Sequence, residues 1–179
     1  MDPTLSLLDA IAFAAEKHKF QQRKGNHKIP YINHPVQVAK CIARAGEIRH
    51  VLLQAALLHD TLEDTDATED EIETLFGKEV LSVVLEVTDD KSLPFQTRKD
   101  KQEEKAPHLS DIAAKIKLAD KICNIKDVLH HPPDWDRRRK IEYFDWCNRV
   151  VNKLSYKQEE LLKIFNETYT RGREELNKS

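Results

Sequence analysis

One stretch restricts this chain more than any other: an apolar helical run that passes straight into a cluster of acids. It reads Gln54-Ala55-Ala56-Leu57-Leu58-His59-Asp60-Thr61-Leu62-Glu63-Asp64-Thr65-Asp66. Residues four apart on a helix share a face, which would stack His59 with Glu63 and Asp60 with Asp64. Thr68-Glu69-Asp70-Glu71 follows and reads as a capping box opening a new helix, so the first helix should end near Asp64 to Asp66. Carboxylates at a helix C-terminus meet the negative end of the macrodipole, each disfavoured by about 0.3–1 kcal/mol. Four acids in that place call for a compensating positive charge. A His-Asp pair alone is an ordinary helix end meeting water. Histidine and aspartate are also ligands for a divalent metal. Further ligands elsewhere in the chain would decide for the metal.

The remainder predicts helices throughout. With 179 residues the chain is long enough for one domain with a substantial core. Four glycines among many Leu, Ala, Lys and Glu residues favour an all-α protein. Asp2-Pro3 suits an N-cap and first helical position, opening a helix to about Gln22 with Leu5, Leu8, Ala12 and Ala15 as its apolar face. Gly25-Asn26 breaks it, and Pro35 suits the start of the next helix, with His34 at the N-cap and an end at Gly46. A third helix is expected from about Arg49 to Asp64. Others are expected over Glu69 to Phe76, closed by Gly77, and over Lys78 to Val87. Phe95 to Lys105 is a charged segment, interrupted by Pro107. Ser110 to about Leu129 carries a stripe of Ile112, Ala113, Ile116, Ala119, Ile122 and Val128, with Asp120, Asn124 and Asp127 on an adjoining face. Pro132-Pro133 ends it. Two more helices are expected, over about Asp136 to Leu154 and about 157–176.

Several function classes are disfavoured. A net charge of −2 gives no general attraction to nucleic acid. No apolar run reaches membrane-spanning length, and the N-terminus lacks signal-peptide character. Cys41, Cys123 and Cys147 are widely spaced and odd in number, which argues against a disulfide framework and for a reducing, cytoplasmic setting.

The candidate ligands are His34, His59-Asp60 and Asp120, on three separate elements, each beside apolar packing. Histidine, then His-Asp, then a later Asp is the ligand order of the HD superfamily of metal-dependent phosphohydrolases. A closer resemblance rests on Arg23-Lys24, Tyr31-Ile32-Asn33-His34-Pro35, His59-Asp60-Thr61-Leu62-Glu63-Asp64-Thr65, Val87-Thr88-Asp89-Asp90-Lys91 and Lys117-Leu118-Ala119-Asp120-Lys121-Ile122-Cys123-Asn124. Together these blocks resemble the hydrolase domain of the RelA/SpoT family, over about residues 5–150, and specifically its short stand-alone metazoan type. That resemblance implies one HD-type domain over 1–179, of about ten helices. It implies one manganese ion and hydrolysis of the alarmone ppGpp to GDP and pyrophosphate, with removal of the NADPH 2′-phosphate in some members. The substrate is then a small nucleotide, with no nucleic acid or membrane as partner.

Carried over by position, the metal ligands are His34, His59, Asp60 and Asp120. Such a mixed imidazole and carboxylate set suits manganese, and iron or zinc could also bind. Glu63 and Asp64 match the catalytic acids, which would orient and deprotonate the attacking water and protonate the leaving oxygen. Arg23 and Lys24 match residues holding the base, Asn124 one contacting the sugar, and Tyr143 a pocket wall. Lys91, Arg98 and Lys99 are expected at the pyrophosphate. Two features depart from the family: Gly25-Asn26-His27-Lys28 replaces an Asp-Pro loop, and Asp100 interrupts a basic run. Competing readings are a general HD-type nucleotidase or phosphodiesterase, and a non-catalytic nucleotide sensor or scaffold.

Overall fold

The protein is described by a computed structural model covering residues 2–25 and 28–178. Asn26 and His27, part of the departing loop, lie outside the described residues. Ten α-helices and one 3₁₀ turn are present among the described residues. They are α1 (Pro3–Lys17), α2 (Asn33–Arg44), α3 (His50–Leu58), α4 (Thr61–Asp64), α5 (Glu69–Phe76), α6 (Lys78–Val87), α7 (Phe95–Lys105), α8 (Asp111–His130), α9 (Arg137–Lys153) and α10 (Glu159–Lys178). The 3₁₀ turn, Ala106–His108, sits where Pro107 interrupts the charged segment. Gln22 and Pro30 form an isolated antiparallel bridge. Among the described residues, no helix is long and apolar enough to cross a membrane.

Local chemistry explains most boundaries. Asp2 accepts from the Thr4 and Leu5 amides at the start of α1. The Thr68–Glu71 capping box forms as expected. Asp136 caps α9 by accepting from the Arg139 amide at 2.7 Å. Helix α8 lies at the centre, packed by α2, α3, α6, α9 and α10. It is buried nearly all round rather than along one stripe. Its buried lysines each find an oxygen: Lys115 on Glu47 at 2.5 Å and Lys117 on the Val87 carbonyl at 3.1 Å.

Four expectations are corrected. Helix α1 ends at Lys17 rather than near Gln22, because the Gln21–Tyr31 segment pairs with itself: the Arg23 amide donates to Ile29 O and the Tyr31 amide to Gln21 O. The face of α1 turned inward is Leu7, Ala10, Ile11 and Ala14, while Leu5 and Leu8 are 53% and 56% exposed. Two interleaved apolar stripes run along this helix, each with two alanines, and the one carrying Ala10 and Ala14 is the buried one, on a helix that packs against α3. His34 is the second residue of α2 rather than its cap, since the helix begins at Asn33. The third helix splits in two at His59-Asp60.

Near the C-terminus, α10 approaches α9 so closely that a Cβ on Gly172 would lie 2.6 Å from the buried ring of Phe144 and 3.2 Å from Leu129. Alanine gains about 1 kcal/mol of helix propensity over glycine. Overpacking against a fixed aromatic costs about 1–3 kcal/mol. Gly172→Ala is therefore expected to lower stability by about 1 kcal/mol, read as a lower midpoint in urea denaturation.

Candidate active site

The break between α3 and α4 arises from side chains that take over backbone acceptors. His59 Nδ1 hydrogen-bonds Ala56 O at 2.8 Å, and Thr61 Oγ1 donates to Leu58 O at 2.7 Å. Asp60 sits at φ −102°, ψ −3°, a sparsely populated region often used at functional sites. The chain restarts as α4, with the Asp64 amide donating to Asp60 O at 2.9 Å. His59-Asp60 thus lies in the break between α3 and α4 and Glu63-Asp64 on α4, not on one continuous helix.

Helices α2 and α8 and the break between α3 and α4 bring four predicted ligands together. His34 Nε2 lies 3.1 Å from Asp120 Oδ1 and 3.7 Å from Asp60 Oδ2. His59 Nε2 lies 3.1 Å from Asp60 Oδ2 and 3.9 Å from Asp120 Oδ1. Each of these histidine–carboxylate separations is within twice a ligand bond of about 2.0–2.2 Å, as a shared ion requires. His59 Nε2 is buried and has no hydrogen-bond partner among the described residues. With Nδ1 given to Ala56 O, Nε2 is the nitrogen turned to the carboxylates and the one left for a metal. His34, His59 and Asp120 also group by themselves as a candidate cation site.

The electrostatics are those of a site that calls for a cation. Burial alone would lower the His59 pKa, yet the Asp60 and Asp120 carboxylates push it up to about 9. Burial, aided by the Arg23 charge, holds the His34 ring below its usual range. Burial also opposes the charge on Asp120, but Lys121 and the two histidines keep this carboxylate well below the ordinary range. A proton on His59 balances the acids here; a metal would take that role and displace it. The donor set therefore fits a divalent ion.

Every site residue singled out from the sequence lines one cleft of about 430 Å³. Glu63 and Asp64 lie on its α4 side. Lys91 pairs with Asp64, and Arg98 Nη1 stands 3.6 Å from Glu63. Arg98 Nε is buried without a hydrogen-bond partner among the described residues. Arg23 holds Asp127 through Nη2 at 2.7 Å and Asn124 Oδ1 at 2.6 Å, with its guanidinium 5.3 Å from the Tyr31 ring centroid. Lys24 is exposed at the rim. Lys99 Nζ lies among Phe95, Tyr143 and Trp146, 4.7 Å from the Trp146 ring centroid. Asp100 is turned away to Gln96 and does not line the cleft, so it leaves the basic wall intact. Gly25, at φ +133°, lets the Arg23-Lys24 loop press on α8, where a Cβ would meet His131 O at 2.8 Å.

Several residues without an assigned role support these. Tyr31 OH donates to Asp60 Oδ2 at 2.7 Å; burial and Asp60 raise its pKa, so it stays a donor. Gln21 Nε2 donates to Asp64 Oδ2 at 3.2 Å, and His18 holds Gln21 at 2.6 Å. Asp89, Gln102, Lys121, Trp135, Arg139 and Trp146 also line the cleft. Tyr31, Asp89 and Lys121 lie inside motifs the sequence displays. Gln21 and Gln102 are ordinary polar residues at polar positions and carry no such signal.

Burial, then the charges of Asp89 and Asp60, push the Glu63 carboxyl up to about 7. An acid whose folded pKa exceeds its unfolded value weakens folding as pH rises between the two, here from about 4.5 to about 7. Glu63→Gln is therefore expected to stabilise the metal-stripped protein at pH 8 by about 1–3 kcal/mol, allowing for partial solvent exposure, and far less at pH 5. Paired urea titrations at the two pH values check this.

Comparison with known proteins agrees with this geometry. The HD domain family matches residues 10–145. The guanosine-3′,5′-bis(diphosphate) 3′-pyrophosphohydrolase MESH1 of Xenopus tropicalis is 51% identical over 150 residues, 83% of this chain and 84% of that protein. The protein of the same name from Homo sapiens is also 51% identical over 150 residues, with the same coverage. A solved structure of a metazoan ortholog of SpoT that hydrolyzes ppGpp superposes with a TM-score of 0.89 at 39% identity, over 93% of this chain and 94% of that one. On these matches and an all-helical fold built around a His-Asp cluster, the chain belongs to the HD-domain family, in the RelA/SpoT branch that includes the MESH1 proteins.

Proposed function

We propose that the protein is a metal-dependent 3′-pyrophosphohydrolase of ppGpp, releasing GDP and pyrophosphate, with manganese as the ion and residues 1–179 acting as one HD unit. The observation that carries this reading is the convergence of two histidine nitrogens and two carboxylates within 3.1–3.9 Å in a cleft that also presents two further acids and several cations. The names of its relatives support the choice of substrate.

His34, His59, Asp60 and Asp120 would hold the ion, which supplies Lewis acidity to the water and to the phosphoryl oxygens. The chain's own residues do the rest. The Glu63–Asp64 pair orients the water, takes one of its protons and returns a proton to the ribose 3′ oxygen as the 3′ O–P bond breaks. Lys91 and Arg98 exchange their carboxylate partners for the diphosphate, and the unpartnered Arg98 Nε offers a further donor. The planar Arg23 guanidinium and the Tyr143 ring provide faces on which a base can stack, while Asn124 reaches the sugar.

We further propose that the 2′-phosphate of NADPH is a second substrate. It too is a phosphate on a ribose hydroxyl, and the cleft runs on into a second hollow walled by Trp135, Arg139, Lys99 and Tyr143 that can receive the remainder of a dinucleotide. The test is turnover of manganese-loaded protein on ppGpp and NADPH in parallel. Pyrophosphate from ppGpp is expected, and phosphate from NADPH. Silence on both with manganese bound overturns the reading in favour of a sensor. Release of phosphate from ordinary monophosphates, or cleavage of cyclic nucleotides, at similar rates favours a general nucleotidase or phosphodiesterase.

A further inference from the structure

Between the metal-binding cluster and Glu63 runs a chain of side chains that none of the roles above uses. Asp120 turns its second oxygen, Oδ2, to Lys121 Nζ at 3.3 Å. Lys121 is buried, lies 4.2 Å from the Trp146 ring centroid, and donates to Gln102 Oε1 at 2.9 Å. Gln102 Nε2 donates in turn to Asp89 Oδ2. The Asp89 amide then donates to Glu63 Oε2 at 3.1 Å. The chain crosses from α8 to α7, to the α6–α7 loop and to α4. Gln102 is the one neutral side chain in it, and it stands between a buried cation and an acid.

An amide is suited to that place. Its oxygen accepts from the ammonium and its nitrogen donates to the carboxylate, so both charges are satisfied while held apart. With an apolar residue at 102, Lys121 and Asp89 lose their shared partner and each gains reason to pair directly with the other. Lys121 would then leave Asp120, and Asp89 would leave the position from which its amide meets Glu63. Helix α7 has no fully buried residue and is fastened by polar contacts, among them Trp146 Nε1 to Lys99 O at 3.3 Å and Arg149 and Lys153 to Glu103 at 3.0 Å. Arg98 and Gln102 are contacts of this helix that reach the site, Arg98 at Glu63 directly and Gln102 through Asp89 and Lys121.

We propose that Gln102 is a positioning residue whose amide keeps Lys121 on Asp120 and Asp89 under Glu63, and so fixes the acid that handles water relative to the metal-binding cluster. This rests on the hydrolase reading above. It predicts a loss in kcat rather than in substrate or metal binding.

The test compares three proteins with the wild type. Gln102→Leu keeps the volume and removes both hydrogen bonds. Gln102→Glu keeps the acceptor for Lys121 and sets a second carboxylate against Asp89. Gln102→Glu with Asp89→Asn restores the pair with donor and acceptor exchanged, at unchanged total charge. Gln102→Leu is expected to lower kcat on ppGpp about 10- to 100-fold, the scale of an ångström's misplacement. Its KM should stay within about threefold, as for a residue that acts only on the reacting geometry. Metal content should be unchanged, Gln102→Glu should be similarly impaired, and the double variant should regain most of the rate.

A second measurement does not depend on turnover. In zinc-loaded protein, the NMR shift of the Asp89 amide reports its bond to Glu63 and should move in Gln102→Leu and return in the double variant. If the wild type fails to turn over ppGpp, the proposed function falls and the Asp89 amide still decides the role of Gln102. An unmoved amide, an unchanged kcat, a rise in KM alone, or loss of the metal each overturns the proposal. Should Gln102→Leu not fold, Gln102→Glu and the double variant carry the same readings.

Discussion

Glu63→Gln combined with Asp64→Asn is expected to lower kcat by about 10³-fold or more, since one positioned acid or base supplies about 10²–10⁴. The loss should leave metal content unchanged. Neither residue belongs to the cluster of His34, His59 and Asp120, and both lie beyond the break, on α4. Binding should survive as well, and it is best followed with a non-hydrolysable ppGpp analogue. Lys91 and Arg98 lose their carboxylate partners in this variant and become more available to a diphosphate. Near-normal turnover would refute the assignment of these acids. Loss of metal would place them among the ligands instead.

His59→Ala is expected to act differently. Removing one of four converging donors should reduce bound metal to well below one equivalent and lower activity by more than the 10- to 100-fold typical of a supporting residue. It also removes the proton-bearing group that balances Asp60 and Asp120 in the metal-free protein. Breaking a buried charge arrangement by deleting one member costs about 3–5 kcal/mol. The sign follows from the raised pKa: His59 contributes its full stabilisation below its unfolded pKa of about 6.5 and loses it as pH rises through about 9. Urea titrations of metal-free wild type and variant should therefore differ most near pH 6 and converge above pH 9. Elemental analysis gives the metal content. A variant that held a full equivalent of metal would remove His59 from the ligand set.

Much of this site was legible because metal and acid chemistry admit few residue types. Histidine and aspartate beside apolar runs at 34, 59–60 and 120 had to be explained either by water or by an ion. The helices from Glu69 to Lys105 were legible from caps and breakers: Thr68, Gly77 and Pro107 each act within one turn. What stayed hidden depended on tertiary competition. Both apolar stripes of α1 suit a core, and only the packing of the helix in the fold selects between them, burying Ala10 and Ala14. The split at His59-Asp60 comes from side-chain bonds to Ala56 O and Leu58 O, which no periodicity reports. Gln21 and Gln102 look like solvated residues until the fold brings Asp64, Asp89 and Lys121 to them.

The hydrogen bonds that assemble the cleft join residues far apart along the chain. Tyr31 to Asp60 spans 29 positions, Gln21 to Asp64 spans 43, His34 to Asp120 spans 86 and Arg23 to Asp127 spans 104. No fragment shorter than most of the polypeptide contains the site. An ion gripped at once by His34 and Asp120 is, in polymer terms, a cross-link closing a loop of 86 residues. On the proposed reading its binding energy would add to the folding of nearly the whole molecule, and the melting temperature should rise with added metal. Depletion of such an ion would then lower the stability of the whole domain as well as its activity.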